Sequence, residues 1–242
     1  MKPATIAKIV VAIILIGVIV WAIQLGQEQY EQYEQQKQNL AAPDVIAKIA
    51  PGSSKIDGQP TELKGVQRQI LSDGGGERSK QREWQSVQVA HDGENLHIYI
   101  VASYNIGDVI KNNSGTAILG QIQFDADNDL STGLSGKAQR DYMGIEKQLV
   151  LMARRRAASG RTNLICYLEK PESVRETGVK FRKLAGSQRN SADDTGWVAY
   201  QGRGIELKIP LADVGIKPHS MARLLFQAMG TSRIPEVVYE VE

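Results

Sequence analysis

The sequence predicts a mainly β protein: an antiparallel two-sheet sandwich preceded by a single transmembrane helix and a helical stalk. Three observations predict it. Beyond about Ser53, apolar residues alternate with polar ones in short runs between Gly, Asn and Asp clusters, the period-two pattern of half-buried strands. No long amphipathic helices interleave with those runs, which disfavours a parallel α/β fold. The run from Ile9 to Ile23 contains no polar side chain at all.

Taken in chain order, that apolar run comes first. Extended through Ala4, Ile6, Ala7 and Leu25, it approaches the ~20 residues that span a bilayer as a helix, and Lys8 can snorkel to the interface. Trp21, Ile23, Gln24 and Leu25 stand where a cleavage site would need small residues, so the segment reads as an uncleaved signal anchor over residues 1–25. Lys2 and Lys8 precede it and Glu28, Glu31 and Glu34 follow it. The positive-inside rule then predicts a single pass through the cytoplasmic (inner) membrane, with the C-terminal domain in the periplasm or extracellular space. Residues 26–52 read as stalk and linker. Gln24 to Leu40 is rich in Gln and Glu without a broad apolar face, a solvated helix, and Pro43 and Pro51-Gly52-Ser53-Ser54 break it. Residues 53–242 form the domain.

That domain is long enough to bury one hydrophobic core. The formal charge of the 242-residue chain is only +2, so no nucleic-acid partner is advertised. Cys166 is the single cysteine, which rules out an intramolecular disulfide and a Cys-rich metal site. The strand candidates are Ser86 to Val89, Leu96 to Ser103, Ile118 to Phe124, Tyr142 to Ala153, Asn163 to Glu169, Gly196 to Tyr200, Ile205 to Ile209 and Arg223 to Met229. His91-Asp92-Gly93-Glu94-Asn95 and Ala157-Ala158-Ser159-Gly160 read as hairpin turns.

The chemistry concentrates in Gln121-Ile122-Gln123-Phe124-Asp125-Ala126-Asp127-Asn128-Asp129-Leu130-Ser131-Thr132-Gly133, a strand running into an acidic loop. Alternate carboxylates on a curling loop point their oxygens at one region and repel unless a cation neutralises them. Calcium, which takes six to eight hard oxygen ligands in flexible geometry, is the natural choice; nearby thiolate and imidazole ligands for zinc are missing. An EF-hand fails, because Leu130 stands where glycine is required and Gly136 where a bidentate glutamate should be. The alternative is that the acids solvate and cap a tight turn.

Several stretches, in order, carry a resemblance: Lys55-Ile56-Asp57-Gly58, the hairpin VQVAHDGENLHIYIV from Val87 to Val101, FDADNDLSTG followed by Asp141-Tyr142, and GIELKIPLADVGI from Gly204 to Ile216. They resemble the DOMON-like, family 9 carbohydrate-binding-module superfamily. The resemblance covers most of the exported region and implies a jelly-roll-like sandwich with a structural calcium, for which Asp125, Asp127 and Asp141 would be ligands and Asp129 a further candidate. One departure is that Thr61, Glu62 and Leu63 stand where the family carries a tryptophan after the opening Asp-Gly.

The remaining motifs weigh less. His91, His97 and His219 are scattered and form no ligand cluster; some members of the superfamily bind haem through methionine, which makes Met143, Met152, Met221 and Met229 a remote electron-transfer alternative. Trp84 and Trp197 read as packing residues, and aromatics at 6% of the chain leave little for a broad sugar-stacking platform. Arg154-Arg155-Arg156 with Arg161 reads as a solvated hairpin tip, Gly74-Gly75-Gly76 lacks the ending of a phosphate loop, and Asn112-Asn113-Ser114 is a glycosylation sequon only in a eukaryotic route. No nucleophile–base motif is recognisable. The expectation is therefore a non-enzymatic, membrane-tethered extracytoplasmic module, calcium-stabilised, binding a glycan or an envelope protein. The alternative is an assembly protein of a membrane complex that uses the sandwich as its interaction domain.

Overall fold

Period-two alternation becomes strand wherever one face can be buried, and the computed structural model describes residues 44–51, 56–71, 83–112, 116–134, 143–155, 162–175, 178–191, 197–229 and 235–242. The strands are β1 (Asp44–Lys48), β2 (Arg68–Ile70), β3 (Trp84–His91), β4 (Asn95–Ala102), β5 (Thr116–Asp125), β6 (Lys147–Arg155), β7 (Thr162–Arg175), β8 (Gly178–Lys183), β9 (Arg189–Asn190), β10 (Val198–Gln201), β11 (Gly204–Pro210), β12 (Met221–Ala228) and β13 (Glu236–Val241). Among the described residues there are also two short helices, α1 (Ile106–Asn112) and α2 (Leu211–Val214). The protein is mainly β, as the alternation predicts.

The strands fall into two groups joined at β1. One runs β10-β11-β4-β3, with β2 on the edge of β3; the other runs β13-β12-β5-β6-β7-β8, with β9 on β7. Asp44 to Ile46 of β1 pair with Tyr239 to Val241 of β13, and Ala47 and Lys48 pair with Ala90 and His91 of β3. Both of these pairings are parallel, so the antiparallel expectation holds everywhere among the described strands except at β1. Each group turns one face into a common core: Ile98, Ile100 and Leu207 come from one, Phe124, Leu149 and Phe226 from the other, and all are buried. Complete burial of each such side chain contributes about 1.5–3 kcal/mol, which is what holds the two faces together.

Each of the eight strand candidates corresponds to an observed strand, with shifted ends. The span proposed from Tyr142 begins only at Lys147 because Met143 and Gly144 turn the chain first, Gly144 with φ +79°. The hairpin at Asp92 forms as expected: the Asp92 carboxylate accepts the Glu94 and Asn95 N–H groups at 2.9 and 2.7 Å. Asp44–Lys48 lies in β1 and starts the compact unit Asp44–Glu242, whereas the sequence reading assigns it to the linker ahead of residue 53. The reason is physical: Ile46 is fully buried in the core, a role that a five-residue segment after a proline does not advertise. Strands β2, β8, β9 and β13 were likewise unanticipated. The anchor, the stalk up to Pro43 and the turn at Ala157–Gly160 lie outside the described residues. Among the described residues no helix is long and apolar enough to cross a membrane.

Candidate functional site

Strand β5 delivers Asp125 to the rim of the larger strand group. Ile122 and Phe124 point into the core, so alternation turns Gln121, Gln123 and Asp125 to the opposite face. Arg223 of β12 is the direct cross-strand partner of Asp125. Their side chains are 2% and 0% exposed, and Arg223 Nε donates to Asp125 Oδ2 at 2.9 Å. The same guanidinium donates through Nη2 to the Met143 carbonyl, and its Nη1 lies 3.6 Å from Glu236.

The loop after β5 folds its acids back over this pair. Asp125 Oδ1 accepts the Asp129 N–H at 3.1 Å, and Asp127 Oδ1 accepts the same N–H at 3.1 Å. Glu146 arrives from the segment before β6: its N–H donates to the Phe124 carbonyl at 3.0 Å and its Oε2 accepts the Ala126 N–H at 2.7 Å. Carboxylate oxygens of Asp125, Asp127 and Glu146 lie within 4.8 Å of one another. Gly144 makes room for them, since a Cβ there would stand 2.6 Å from Asp125 Oδ2.

Thr132 Oγ1 lies 2.6 Å from Glu146 Oε1, 2.9 Å from the Asp129 carbonyl and 3.0 Å from Asp127 Oδ1. A hydroxyl donates once; the Asp129 carbonyl also accepts the Thr132 N–H at 3.1 Å and Asp127 Oδ1 the Asp129 N–H, which leaves the hydroxyl proton for Glu146. Burial pushes the Asp125 carboxyl up to about 7, Arg223 pulling it down and Glu146 pushing it further up. Burial likewise raises Glu146 against the opposing bonds from Thr132 and Ala126. Among the described residues the corner gathers three carboxylates beside the Arg223 guanidinium, a set of ligands made only of hard oxygen, and an ion such as calcium fits that set.

Of the four sequence candidates, Asp125 and Asp127 meet. Asp129 turns its Oδ1 onto the Ser131 N–H and hydroxyl, at 2.8 and 2.7 Å, and its carboxylate is not one of the three that converge. Asp141 lies outside the described residues. Glu146 and Arg223 were missed. Arg223 carried no sequence signal, being 98 residues away; Glu146 sat inside a strand candidate and passed as one of its polar positions.

A second buried carboxylate lies on the outer face of the smaller group. Glu206 of β11 is 3% exposed, and its Oε2 accepts the Asp57 and Gly58 N–H groups at 2.9 and 2.7 Å, pinning the Asp57-Gly58 turn to the sheet. Burial pushes Glu206 up to about 7 against those two bonds. Nearby, His97 Nε2 lies 2.9 Å from Asp92 Oδ2, so His97 already has a structural partner. Trp84 and Trp197 are 3% and 8% exposed, buried as the strand context predicts, and neither offers an open ring face to a sugar.

No family profile matches the chain, and no curated protein matches it. A solved structure to which it is similar is the crystal structure of a putative carbohydrate-binding protein from Bacteroides uniformis, at 13% identity and a TM-score of 0.40, with 83% of this chain and 100% of that one covered. At that degree of overlap the likeness bears on neither ligand nor mechanism.

Proposed function

We infer that this chain is an exported, membrane-tethered ligand-binding module and not an enzyme: a jelly-roll-like β-sandwich whose β5 corner is held by a calcium ion, and which binds a glycan or an envelope protein. The observation that supports the calcium reading is the convergence of Asp125, Asp127 and Glu146, whose carboxylate oxygens lie within 4.8 Å of one another. Asp125, Asp127 and Glu146 would hold the ion; when bound, it supplies charge neutralisation that ties the loop after β5 to the segment before β6. Asp125 sits at a strand end and reaches Arg223 on the neighbouring strand, so a clamp here orders the loop without creating a nucleophile. The tethering part rests on the apolar run from Ile9 to Ile23 and the acidic residues that follow it.

The test is thermal melting of the purified chain with calcium and with chelator. A calcium-dependent rise in melting temperature that Asp127→Asn diminishes is the expected result. Melting indifferent to calcium, chelator and that substitution refutes the clamp.

A further inference from the structure

We propose that the seam where β1 passes from β13 to β3 is an acid-sensitive latch: a proton taken up by His91 releases Ala47, Lys48 and Ile49 from β3 and lets water into that end of the core. β1 opens the compact unit Asp44–Glu242 and joins its two strand groups, and its hold on them is unequal. Asp44, Val45 and Ile46 pair with β13, whereas Ala47 and Lys48 alone pair with β3, followed by the Ile49 N–H, which donates to the His91 carbonyl at 2.8 Å. Val87 and Val89 lie in the core, so strand alternation turns His91 to the same side. Lys48 stands opposite His91 in the register, and the same alternation after the core residue Ile46 brings its side chain to the side of the sheet that His91 occupies.

His91 is 1% exposed, and neither its Nδ1 nor its Nε2 makes a hydrogen bond among the described residues. A neutral imidazole has one donor and one acceptor to satisfy; a protonated one adds a charge, which is far costlier to bury unpaired. The surroundings leave that charge poorly matched. Burial is the largest influence and disfavours the charged ring, the Glu242 main chain opposes it, the Lys48 ammonium adds to it, and the Glu242 and Asp92 carboxylates oppose it least. Asp92 is committed elsewhere, accepting the Glu94 and Asn95 N–H groups and lying 2.9 Å from His97 Nε2. Glu242 Oε2 accepts the Lys48 N–H at 2.8 Å, and on β4 the cross-strand neighbour of His91 is Leu96, which is apolar. Movement therefore relieves what pairing does not. β4 holds β3 along its length from Trp84 to His91, while β1 holds its end by two paired residues and one further hydrogen bond, so the short segment opens at a much lower free energy than the whole domain. Opening gives the ring water and carries the Lys48 ammonium away from it. The sign follows from the neutral ring being favoured in the closed seam: its stability is complete above the ordinary histidine value of about 6.5 and declines as pH falls below it.

The experiment is amide hydrogen exchange of the full detergent-solubilised chain between about pH 7.5 and about pH 5.5, corrected for the intrinsic pH dependence of exchange. On acidification the opening constant at the Ile49 amide should rise severalfold, up to roughly the tenfold set by a ring that ionises at about 6.5 once exposed, with no such rise at the amides of β6. Two substitutions assign the effect. His91→Leu should make the opening independent of pH, and Glu242→Gln, which keeps an acceptor for the Lys48 N–H, should leave the rise in place. If His91→Leu does not fold, NMR titration of the His91 ring in the unaltered chain decides: ionisation only together with loss of Ile49 protection supports the latch. An Ile49 opening that is flat with pH, a rise that persists in His91→Leu or vanishes in Glu242→Gln, or a ring that ionises at about 6.5 while Ile49 stays protected overturns it.

Discussion

Protons and calcium compete for the same oxygens in the β5 corner, and that competition has a sign. The Asp125 carboxyl is raised from 3.8 to about 7 in the folded protein, so the folded state holds its proton more tightly than the unfolded chain does. The resulting stabilisation is fully present below about pH 4 and is lost as pH rises through about 7. Between about pH 5 and about pH 8 this one group removes roughly 2–3 kcal/mol from the metal-free protein, which for a domain of this size lowers the melting temperature by about 5–10 °C. Glu146 is raised by the same burial and adds in the same direction. Calcium binds the ionised form, so its stabilising effect grows with pH; at a free concentration a hundred times its Kd it contributes about 2.7 kcal/mol. Glu206, also raised to about 7, adds to the loss, while His91, lowered mainly by burial, opposes it as pH falls below its ordinary value. Neither converges with the corner carboxylates, so both cancel when calcium and chelator curves are subtracted. The assay is differential scanning calorimetry across this pH range with and without chelator. A calcium increment that is larger at the acidic end, or absent at the alkaline end, refutes the argument.

Three further outcomes follow from particular contacts. Arg223→Met removes the guanidinium from a fully buried carboxylate and should lower unfolding free energy by about 3–5 kcal/mol at neutral pH, read by urea titration, with part of the loss restored by acidification because Asp125 can then be neutralised by a proton. Glu206→Gln should flatten the chelator-state pH dependence between about pH 5 and about pH 8 while leaving the calcium increment intact; a changed calcium increment would couple two sites that the structure keeps apart. Gly58→Ala drives a Cβ into the Tyr200 backbone at a residue with φ +86°. It should release the Asp57-Gly58 turn from Glu206 at a cost of more than about 1 kcal/mol, seen as faster proteolysis within residues 56–71.

The legible part of this fold was the part whose information is local. The hairpin at Asp92 was read because its turn chemistry and both flanking alternations lie within one short stretch, and the acidic loop because its carboxylates are two residues apart. β13 carries the same kind of signal, with Val237, Tyr239 and Val241 at alternate positions and packed on the core. β8 is different: Val179 and Phe181 pack against Leu134, Ile145 and Leu225 in a small satellite cluster instead of the main core, so nothing in its own charged sequence distinguishes it from a loop. β1 needed knowledge of two partners, since it joins β13 to β3 by changing neighbours between Ile46 and Ala47. Arg223 is the same problem in the site, a residue whose role is set by register with a strand far away in sequence.

That register also sets the corner. β5 and β12 run side by side from Gly120 opposite Ala228 to Asp125 opposite Arg223, so the pairing that places Gln121 beside Gln227 is the pairing that seats the buried ion pair four residues on. A one-residue slip would turn Asp125 and Arg223 into the core and expose Phe124 and Phe226, at a cost far above that of any single contact on the face. The Asp125–Arg223 pair thus acts as a register lock, and a buried ion pair that adds little net stability over an apolar pair of the same shape still specifies one alignment of the strands. Replacing both members, Asp125→Leu with Arg223→Met, tests this: melting in chelator close to that of the unaltered protein is the expected result, and a loss of about 3 kcal/mol or more would show that the pair contributes net stability.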